Sequence, residues 1–538
     1  MVDLTINRSA GGPSIYMETF GCQMNVLDSE LVRGHLQALG YAFTDAGDAA
    51  DIVLFNTCSV REQAENKVLS RLGRLRVEKN EGRNVIVGVI GCLAEREGEP
   101  MLRRRPEVDL LCGPGELDRL PMLLDNVLKG DILEIADRAA LQGASSRRSA
   151  TLSAAQDSLE LLDLSRAFDP DQAAAGGRSA YVRITRGCNK FCTYCVVPNT
   201  RGAEVHRPPD AIVDECRRLA DRGVVEVTLL GQTVNHYMYV HGTAIDGSGR
   251  ELPQVGPGLA AFRRDDRGAG SHRVTTFADL LRRIHDTVPA IARLRFVTSY
   301  PRDFGDDILD VMAQCPRICR YLHVPAQSGS DRILGLMNRG YTVGQYEAFV
   351  ERVLSRLPDA SIAGDFIVGF PTETDADFQA SIDLLHRVPF KNNFIFKYSP
   401  RPGTTAIDRL PDDVSEALKR ERCNALLAVQ AEVSEAVHNQ VIGQVQQVFV
   451  EKVTDFEAGA AQRAGVIGGS GRVELGWATP RKQYAGRTPG DLITVFEQSS
   501  DAGGEDLIGK IVPVLVESAA PRLLRGRMVI GSPLEDAR

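Results

Sequence analysis

The sequence of 538 residues lacks the apolar runs that would place a protein across a membrane. No window approaches the roughly 20 consecutive apolar residues of a spanning helix. The first residues, Met1 to Gly11, also lack the apolar core of a secretion signal. We therefore expect a cytoplasmic protein that does not contact a membrane.

An excess of positive charge is missing as well. The chain has 63 lysine and arginine residues against 71 aspartate and glutamate residues, a formal net charge of −8 at pH 7. Proteins that bind polyanions through charge alone have a strong basic excess, so this balance argues against that class and leaves room only for a local basic groove. The content of 43% hydrophobic and 25% charged residues is typical of a soluble globular protein. The length predicts roughly three domains.

Cysteine, by contrast, is plentiful, with 11 residues. In a reducing compartment these are not expected to form disulfides, which leaves metal or redox chemistry. Three of them stand close together as Cys188-x3-Cys192-x2-Cys195. Thiolates at this spacing on a tight loop can hold three irons of a four-iron cluster. No fourth cysteine follows nearby, because Cys216 falls within a helical pattern, so we expect one iron to stay open to a small ligand.

An open iron suits a ligand that offers an amine and a carboxylate together. S-adenosylmethionine has this pair, and one electron from a low-potential cluster can cleave its sulfonium bond to give a 5′-deoxyadenosyl radical. Tyr194 is suited to pack on its adenine, and Gly369 to allow a close backbone approach. Gln232, Ser299 and Gln327 follow predicted strands and are candidates to bind the ligand, although each is equally suited to cap a helix or tie a loop. Zinc is the less favoured alternative, because the spacing is unusual and a fourth ligand is missing.

Three strand-like apolar runs near the N-terminus alternate with helical patterns. The runs cover 14–21, 51–57 and 84–91, and apolar residues recur at helical spacing over 28–39 and 61–76. This alternation predicts a parallel sheet with helices on both faces, as in flavodoxin-like folds.

A second set of cysteines follows these three runs. Cys22, Cys58 and Cys92 each come at the end of a predicted strand. Because ligands gather at the carboxyl ends of parallel strands, we expect the three thiols to meet there. Cys112 also ends an apolar run, so the pattern permits three or four ligands. Burial of each cysteine as a small hydrophobic residue is the alternative interpretation.

The rest of the chain predicts two further folded parts. About six strand–helix units are typical of a partial (β/α)6 barrel with its chemistry at the carboxyl ends of the strands. A Gly-rich tract inside it is expected to be a surface loop. Short alternating strands near the C-terminus predict a small β-barrel, of a kind often used on nucleic acids, although its basic residues such as Arg487 are nearly offset by acids. The expected divisions are an N-terminal domain (13–138), a linker (139–177) with a short helix near 159–164, a barrel (178–410) with an insertion (239–273), a connecting helix (411–440) and the small β-barrel (441–530).

Several longer motifs make a family resemblance specific. They are Met17–Asn25, Asn56–Glu62, Gly91–Cys92, Gly187–Pro198, Thr200–Gly202, Leu229–Asn235, Arg295–Ser299, Pro325–Asp331, Asp365–Pro371 and Tyr398–Thr404. Through these motifs the sequence resembles the radical S-adenosylmethionine methylthiotransferases. The C-terminal part resembles a TRAM RNA-binding domain through Ala485–Arg487, Leu507–Lys510 and Leu524–Gly526.

The resemblance implies two [4Fe-4S] clusters and two molecules of S-adenosylmethionine per turnover. The cluster on Cys188, Cys192 and Cys195 would generate the radical. The second, auxiliary cluster would lie on Cys22, Cys58 and Cys92 and carry the sulfur, which leaves Cys112 with a structural role. The implied reaction is methylthiolation of C2 of N6-dimethylallyladenosine next to the anticodon of tRNA. Implied partners are this prenylated tRNA, an electron donor such as flavodoxin or ferredoxin, and proteins that deliver sulfur or clusters.

Two other functions stay open at this point. A sister enzyme could use the same two clusters on threonylcarbamoyl-adenosine in tRNA or on an aspartate of a ribosomal protein. The amino-acid sequences of the motifs Met17–Asn25 and Asn56–Glu62 favour the prenyl-adenosine enzyme. A non-enzymatic iron–sulfur electron carrier is the alternative from another class, but it would leave the barrel and its S-adenosylmethionine-like loops unexplained.

Overall fold

The computed structural model describes residues 12–130, 134–142, 163, 177–256, 273–454, 483–497 and 506–529. The short helix expected near 159–164 lies outside these residues except for Asp163. Within the described ranges, no helix combines the length and apolar content needed to cross a bilayer.

A six-stranded parallel sheet forms the N-terminal part. Its strands are β1 (Ser14–Phe20), β2 (Ala42–Phe43), β3 (Ile52–Thr57), β4 (Ile86–Gly91), β5 (Leu110–Cys112) and β6 (Ala139–Ala140). Its helices are α1 (Gln23–Ala38), α2 (Glu62–Asn80), α3 (Cys92–Glu97), α4 (Glu99–Arg104) and α5 (Leu120–Lys129). The strand order β2-β1-β3-β4-β5-β6 is the flavodoxin-like order, so that prediction is confirmed.

The central strands of this sheet are apolar over most of their length because both faces are covered. In β3, Ile52 and Leu54 pack into one core while Val53 and Phe55 pack into the core on the other face. The last strand, β6, lies within the predicted linker. The sheet therefore extends one short strand beyond the predicted N-terminal domain, 13–138.

A second set of six parallel strands follows and forms an open barrel. These strands are β7 (Ser179–Arg183), β10 (Glu226–Leu230), β14 (Arg293–Phe296), β15 (Tyr321–His323), β16 (Ser361–Val368) and β17 (Phe390–Lys397). They pair in two groups of three, β7-β10-β14 and β15-β16-β17. The backbone N–H of Ser299 donates to the carbonyl of His323 at 3.0 Å and links the groups at their carboxyl ends. The prediction of a partial (β/α)6 barrel is confirmed.

Helices cover the outside of this barrel. They are α6 (Val197–Thr200), α7 (Pro209–Asp221), α8 (Phe277–Thr287), α9 (Asp306–Gln314), α10 (Asp331–Leu336), α11 (Val343–Arg356), α12 (Asp375–Arg387), α13 (Thr405–Arg409) and α14 (Glu416–Asn439). Three of them begin with a capping box, led by Thr276, Thr342 and Thr374. These threonines each accept from a backbone N–H that the first turn would leave unpaired, which explains why the helices begin where they do.

Short strands near the mouth of the barrel tie down part of the insertion. They are β8 (Thr185–Arg186), β9 (Val205–His206), β11 (Met238–Val240), β12 (Gln254–Val255) and β13 (Val274–Thr276). β12 pairs with β9, and β11 pairs with β13. Tyr239 is fully buried, and its hydroxyl donates to the carbonyl of Leu252 at 2.8 Å. The two ends of the described part of the insertion, 239–256, are therefore packed against the barrel, while residues 242–250 between them are largely exposed.

The C-terminal part is a closed five-stranded barrel, as predicted. Its strands are β18 (Val445–Thr454), β19 (Gln483–Arg487), β20 (Ile493–Glu497), β21 (Ile511–Ala520) and β22 (Leu523–Met528). Alternate residues such as Val448, Val450 and Val514 fill its interior together with Tyr484 and Phe496. This architecture is consistent with a TRAM-like domain.

The small barrel packs against the amino ends of the large barrel's strands through buried charges. Glu226, the first residue of β10, is fully buried and accepts from Arg295 at 2.7 Å. The guanidinium of Arg487, from β19, lies 3.6 Å from the same carboxylate. Lys391, near the start of β17, donates to Asp491 at 2.6 Å. Arg487 is therefore engaged between the two barrels rather than available to a nucleic acid.

We expect Glu226→Gln to destabilise the protein, because it removes the charge that Arg295 and Arg487 share. Removing one partner of a buried ion pair costs about 3–5 kcal/mol. The thermal unfolding midpoint of the full chain measures this loss. Arg527→Gln is the matched control, since its pair with Glu517 is exposed and such pairs contribute at most about 1 kcal/mol. An equal shift in the two variants would contradict the importance of the buried network.

Candidate active site

Cys22, Cys58 and Cys92 lie at the carboxyl ends of three adjacent strands, β1, β3 and β4. The backbone N–H of Cys58 donates to the carbonyl of Phe20 at 3.2 Å, so the ends of β1 and β3 are joined. Cys22 precedes α1 and Cys92 begins α3. The structure thus brings together three residues that the sequence separates by more than 30 positions each.

Two glycines make this convergence possible. Gly21 has a φ of +127°, and a Cβ there would lie 2.4 Å from the Cβ of Cys58. Gly91 has a φ of +88°, and its Cβ would lie 2.4 Å from the amide oxygen of Asn56. A side chain at either position would push the strand ends apart. Each glycine thereby sets the position of the cysteine that follows it.

Cys112 ends the next strand but does not reach the same place. In the register of β4 and β5 it lies opposite Ile90, whereas Cys92 is two residues beyond Ile90. Its thiol donates to the carbonyl of Glu116 at 3.1 Å and is buried in the core with Leu110. Strand patterning could not separate Cys112 from the other three, because only the register shows that it lies deeper in the sheet.

Hydrogen bonds and charge act on the thiols of the N-terminal set. The hydrogen bond with Cys58 and the charge of Arg201 lower the pKa of Cys22 to about 6. The same hydrogen bond raises the pKa of Cys58, and burial raises the pKa of Cys92. Because the thiolate is the form that binds metal, Cys22 is prepared to ligate at neutral pH. Asn25 accepts from the thiol of Cys22 at 3.2 Å.

The second set of thiols lies on the loop between β8 and α6, at the mouth of the barrel. The loop is anchored from several sides: the N–H of Cys188 donates to Gly202 at 3.2 Å, and the N–H of Thr193 donates to Met337 at 3.0 Å. Lys190 is buried and pairs with Asp303. Burial raises the pKa of Cys188, and burial and the charge of Cys192 raise that of Cys195 to about 12.

A buried arginine that sequence reasoning missed contacts this loop. Arg339 donates to the sulfur of Cys192 at 3.3 Å and lies 3.4 Å from the hydroxyl of Tyr194. The two residues are 147 positions apart in the sequence, so no local pattern connects them. Arg339 follows α10 within a short polar turn, which gives no helical or strand signal.

A buried ion pair joins the two domains that carry the thiol sets. Arg201, from the motif after the cysteine loop, donates to Asp28 of α1 at 2.7 Å, and both side chains are at most 5% exposed. The charge of Arg201 acts on Cys22 and on Cys92. Arg401 makes a second such pair with Glu65, at 2.8 Å to each carboxylate oxygen.

Each set offers three thiols. A four-iron cluster takes such ligands on separate irons and can leave its fourth iron open. Glu204, His206 and His236 are all buried, and their ligand atoms lie within 4.8 Å of one another. His206 accepts a backbone N–H from Met238 through Nδ1, whereas its Nε2 lies 3.6 Å from Glu204 and has no hydrogen-bond partner among the described residues. Glu204 is paired with Nδ1 of His236 at 2.7 Å.

The polar residues predicted to bind S-adenosylmethionine share one feature. Gln232, Ser299 and Gln327 each have a buried side-chain oxygen without a hydrogen-bond partner among the described residues. Buried polar atoms are normally paired, so these three oxygens have hydrogen-bonding capacity that the described residues do not use. Gln327 and Thr298 also have positive φ values of 72° and 68°, a strain that tends to occur at binding sites.

The other two residues predicted to bind S-adenosylmethionine, Tyr194 and Gly369, make close contacts within the protein. Tyr194 packs edge-on against Phe370, with ring centroids 6.5 Å apart, close to the cysteine loop. Gly369 has a φ of +68°, but a Cβ there would meet the stem of Lys419 at 2.3 Å. The need for glycine at 369 is therefore explained by packing against α14.

Two family models match the parts of the chain that carry the two thiol sets. The model of the uncharacterized protein family UPF0004 matches residues 14–113, and that of the radical SAM superfamily matches residues 182–385. The tRNA-2-methylthio-N(6)-dimethylallyladenosine synthase of Rhodopirellula baltica is 40% identical over 515 residues, which cover 96% of this chain and 95% of the relative. The synthase of the same name from Burkholderia thailandensis is 37% identical and covers 96% of this chain and 97% of the relative.

Among solved structures, the radical S-adenosylmethionine methyltransferase TsrM from Kitasatospora setae is 16% identical, with a TM-score of 0.49 over 73% of this chain and 74% of that chain. The resemblance drawn from the sequence motifs is confirmed by the close relatives. The chain belongs to the tRNA-2-methylthio-N6-dimethylallyladenosine synthase family of radical S-adenosylmethionine methylthiotransferases.

Proposed function

We propose that this chain attaches a methylthio group to C2 of N6-dimethylallyladenosine next to the anticodon of tRNA. The observation that supports it most is the pair of three-thiol sets at the carboxyl ends of two separate parallel sheets, joined by Arg201 and Asp28. A transferase of this kind makes a radical at one set and delivers sulfur from the other, whereas an electron carrier would leave the barrel and its candidate S-adenosylmethionine residues unexplained.

The donor atoms suit the cofactors of this chemistry. The loop thiols would hold one [4Fe-4S] cluster, the N-terminal thiols would hold an auxiliary one, and Gln232, Ser299 and Gln327 would bind S-adenosylmethionine. When bound, these groups supply the radical that removes hydrogen from C2, the sulfur that replaces it, and the methyl group from a second S-adenosylmethionine. Electrons would come from a small redox protein such as flavodoxin or ferredoxin, and sulfur from a delivery protein.

The protein's own residues position the reactants and exclude water. The loop thiols are at least half enclosed, and the buried Arg201 places a positive charge beside Cys22 and Cys92 of the other set. The unpaired oxygens of Ser299 and Gln327 are suited to accept hydrogen bonds from the amine and hydroxyl groups of S-adenosylmethionine.

Exposed aromatic rings at the barrel mouth suit an RNA base. Phe394 is 45% exposed on β17, and the guanidinium of Arg61 from the N-terminal domain lies 5.9 Å from its ring centre. Phe191, on the cysteine loop, is 49% exposed. Stacking of a base on such rings contributes about 1–3 kcal/mol. We infer that the tRNA presents its unpaired adenosine between the two domains.

Nucleoside analysis of tRNA tests the reaction and its substrate. In a strain that lacks this gene, we expect methylthio-dimethylallyladenosine to disappear and the unmethylthiolated prenyl nucleoside to accumulate. The wild-type gene should restore it, and a Cys58→Ser gene should not. Persistence of the methylthio nucleoside in the deletion strain would refute the substrate, and loss of methylthio-threonylcarbamoyl-adenosine instead would favour the sister enzyme.

Iron content tests the ligand sets. We expect about eight irons per chain after anaerobic reconstitution, because two four-iron clusters are proposed. Cys58→Ser should lower this to about four. Cys112→Ser is the matched control and should leave it unchanged, since its thiol is buried in the core away from the other three. Loss of half the iron in Cys112→Ser would contradict the assignment.

Binding of S-adenosylmethionine tests the unpaired oxygens. Ser299→Ala and Gln327→Ala each remove one acceptor, and the loss of one hydrogen bond of about 0.5–1.5 kcal/mol weakens binding roughly 3- to 10-fold. Anaerobic equilibrium dialysis of the reconstituted chain measures the Kd. Gln314→Ala, at an exposed position on α9, is the control. Unchanged affinity in both Ser299→Ala and Gln327→Ala would place the ligand elsewhere.

A further inference from the structure

We propose that Arg339 sets the reduction potential of the cluster held by the loop thiols, acting through Cys192. This inference rests on the cluster assignment made under the proposed function. It concerns a residue that none of the sequence motifs includes.

The guanidinium of Arg339 is held from every side by the barrel. Nη2 donates to the carbonyl of Pro325 at 3.2 Å, and Nε donates to the hydroxyl of Tyr341 at 3.0 Å. The ring of Tyr300 lies 4.7 Å from the guanidinium carbon. Nη1 donates to the sulfur of Cys192 at 3.3 Å and to the hydroxyl of Tyr194 at 3.4 Å. The whole residue is only 6% exposed, so this geometry is fixed by packing.

Arg339 has no carboxylate partner among the residues that the structure describes. Arg201 and Arg401, two other buried arginines near the site, are paired with Asp28 and Glu65. A buried charge without compensation costs several kcal/mol. The sulfur of Cys192, 3.3 Å from Arg339, is a thiolate when it binds iron. The charge of Arg339 is therefore matched to a ligated cluster rather than to a protein acid.

A positive charge at this distance favours the reduced cluster. Reduction by one electron from a flavodoxin- or ferredoxin-like donor adds one negative charge to the cluster and moves no proton. A fixed cation and an N–H group directed at a cysteine sulfur stabilise that added charge, and the low-dielectric surroundings strengthen the effect. Arg339 thus raises the potential of this cluster and makes its reduction by a biological donor easier.

Redox titration of the reconstituted full chain, followed by electron paramagnetic resonance, tests this role. The signal that changes when S-adenosylmethionine is added identifies the loop cluster. At the wild-type midpoint potential, we expect the ratio of reduced to oxidised cluster to fall at least tenfold in Arg339→Gln, which equals a shift of about 59 mV for one electron. Arg339→Lys keeps the charge and should stay within threefold of the wild type. Arg302→Gln, which removes a half-exposed cation near the same Tyr300 ring, should not change the ratio.

Several results would overturn the inference. One is an Arg339→Gln cluster that titrates like the wild type at full iron content. If Arg339→Gln does not retain the loop cluster, Arg339→Lys decides, and a tenfold loss in that variant also overturns it. Failure of the proposed function is distinguishable, because the potential can be measured whether or not tRNA is modified. Iron absent from the loop thiols of the wild type would instead refute the cluster assignment itself.

Discussion

The arrangement of the two domains that carry the thiols depends on the buried ion pair between Arg201 and Asp28. Arg201 belongs to the barrel, directly after the cysteine loop, while Asp28 belongs to the first helix of the N-terminal sheet. Neither charge is stable alone in an enclosed space, so each domain supplies what the other requires. The pair also places a cation beside Cys22 and Cys92, where thiolates are needed. The contact that joins the domains therefore also places the cation that helps to lower the pKa of Cys22.

Much of this architecture could be predicted from the sequence because it follows local rules. The alternation of strands and helices gave both parallel sheets, and the tendency of ligands to gather at carboxyl ends predicted that Cys22, Cys58 and Cys92 would meet. Three of the predicted ligand-binding residues, Gln232, Ser299 and Gln327, all turned out to carry unpaired buried oxygens. Residues at strand exits were identifiable because the alternation of strands and helices shows where each strand ends.

Contacts between distant segments could not be predicted. Arg201 and Asp28 are 173 positions apart, and Arg339 and Cys192 are 147 apart, so no periodicity relates them. The start of α1 was also missed: the apolar pattern begins at Asp28, whereas the helix begins at Gln23 without a side-chain cap. The place of Cys112 depends on strand register, and the need for glycine at 369 depends on Lys419 from a helix that comes later in the chain.

The position of the small C-terminal barrel has a consequence for the size of a substrate. It sits on the amino ends of β10 and β14, while the cysteine loop lies beyond their carboxyl ends. The five residues of β10 alone separate these two places by about 16 Å. A molecule that touches both must span at least this length along the barrel. A free nucleoside is too short, whereas a folded RNA stem with its loop is long enough. Only a molecule of that size can contact both places at once.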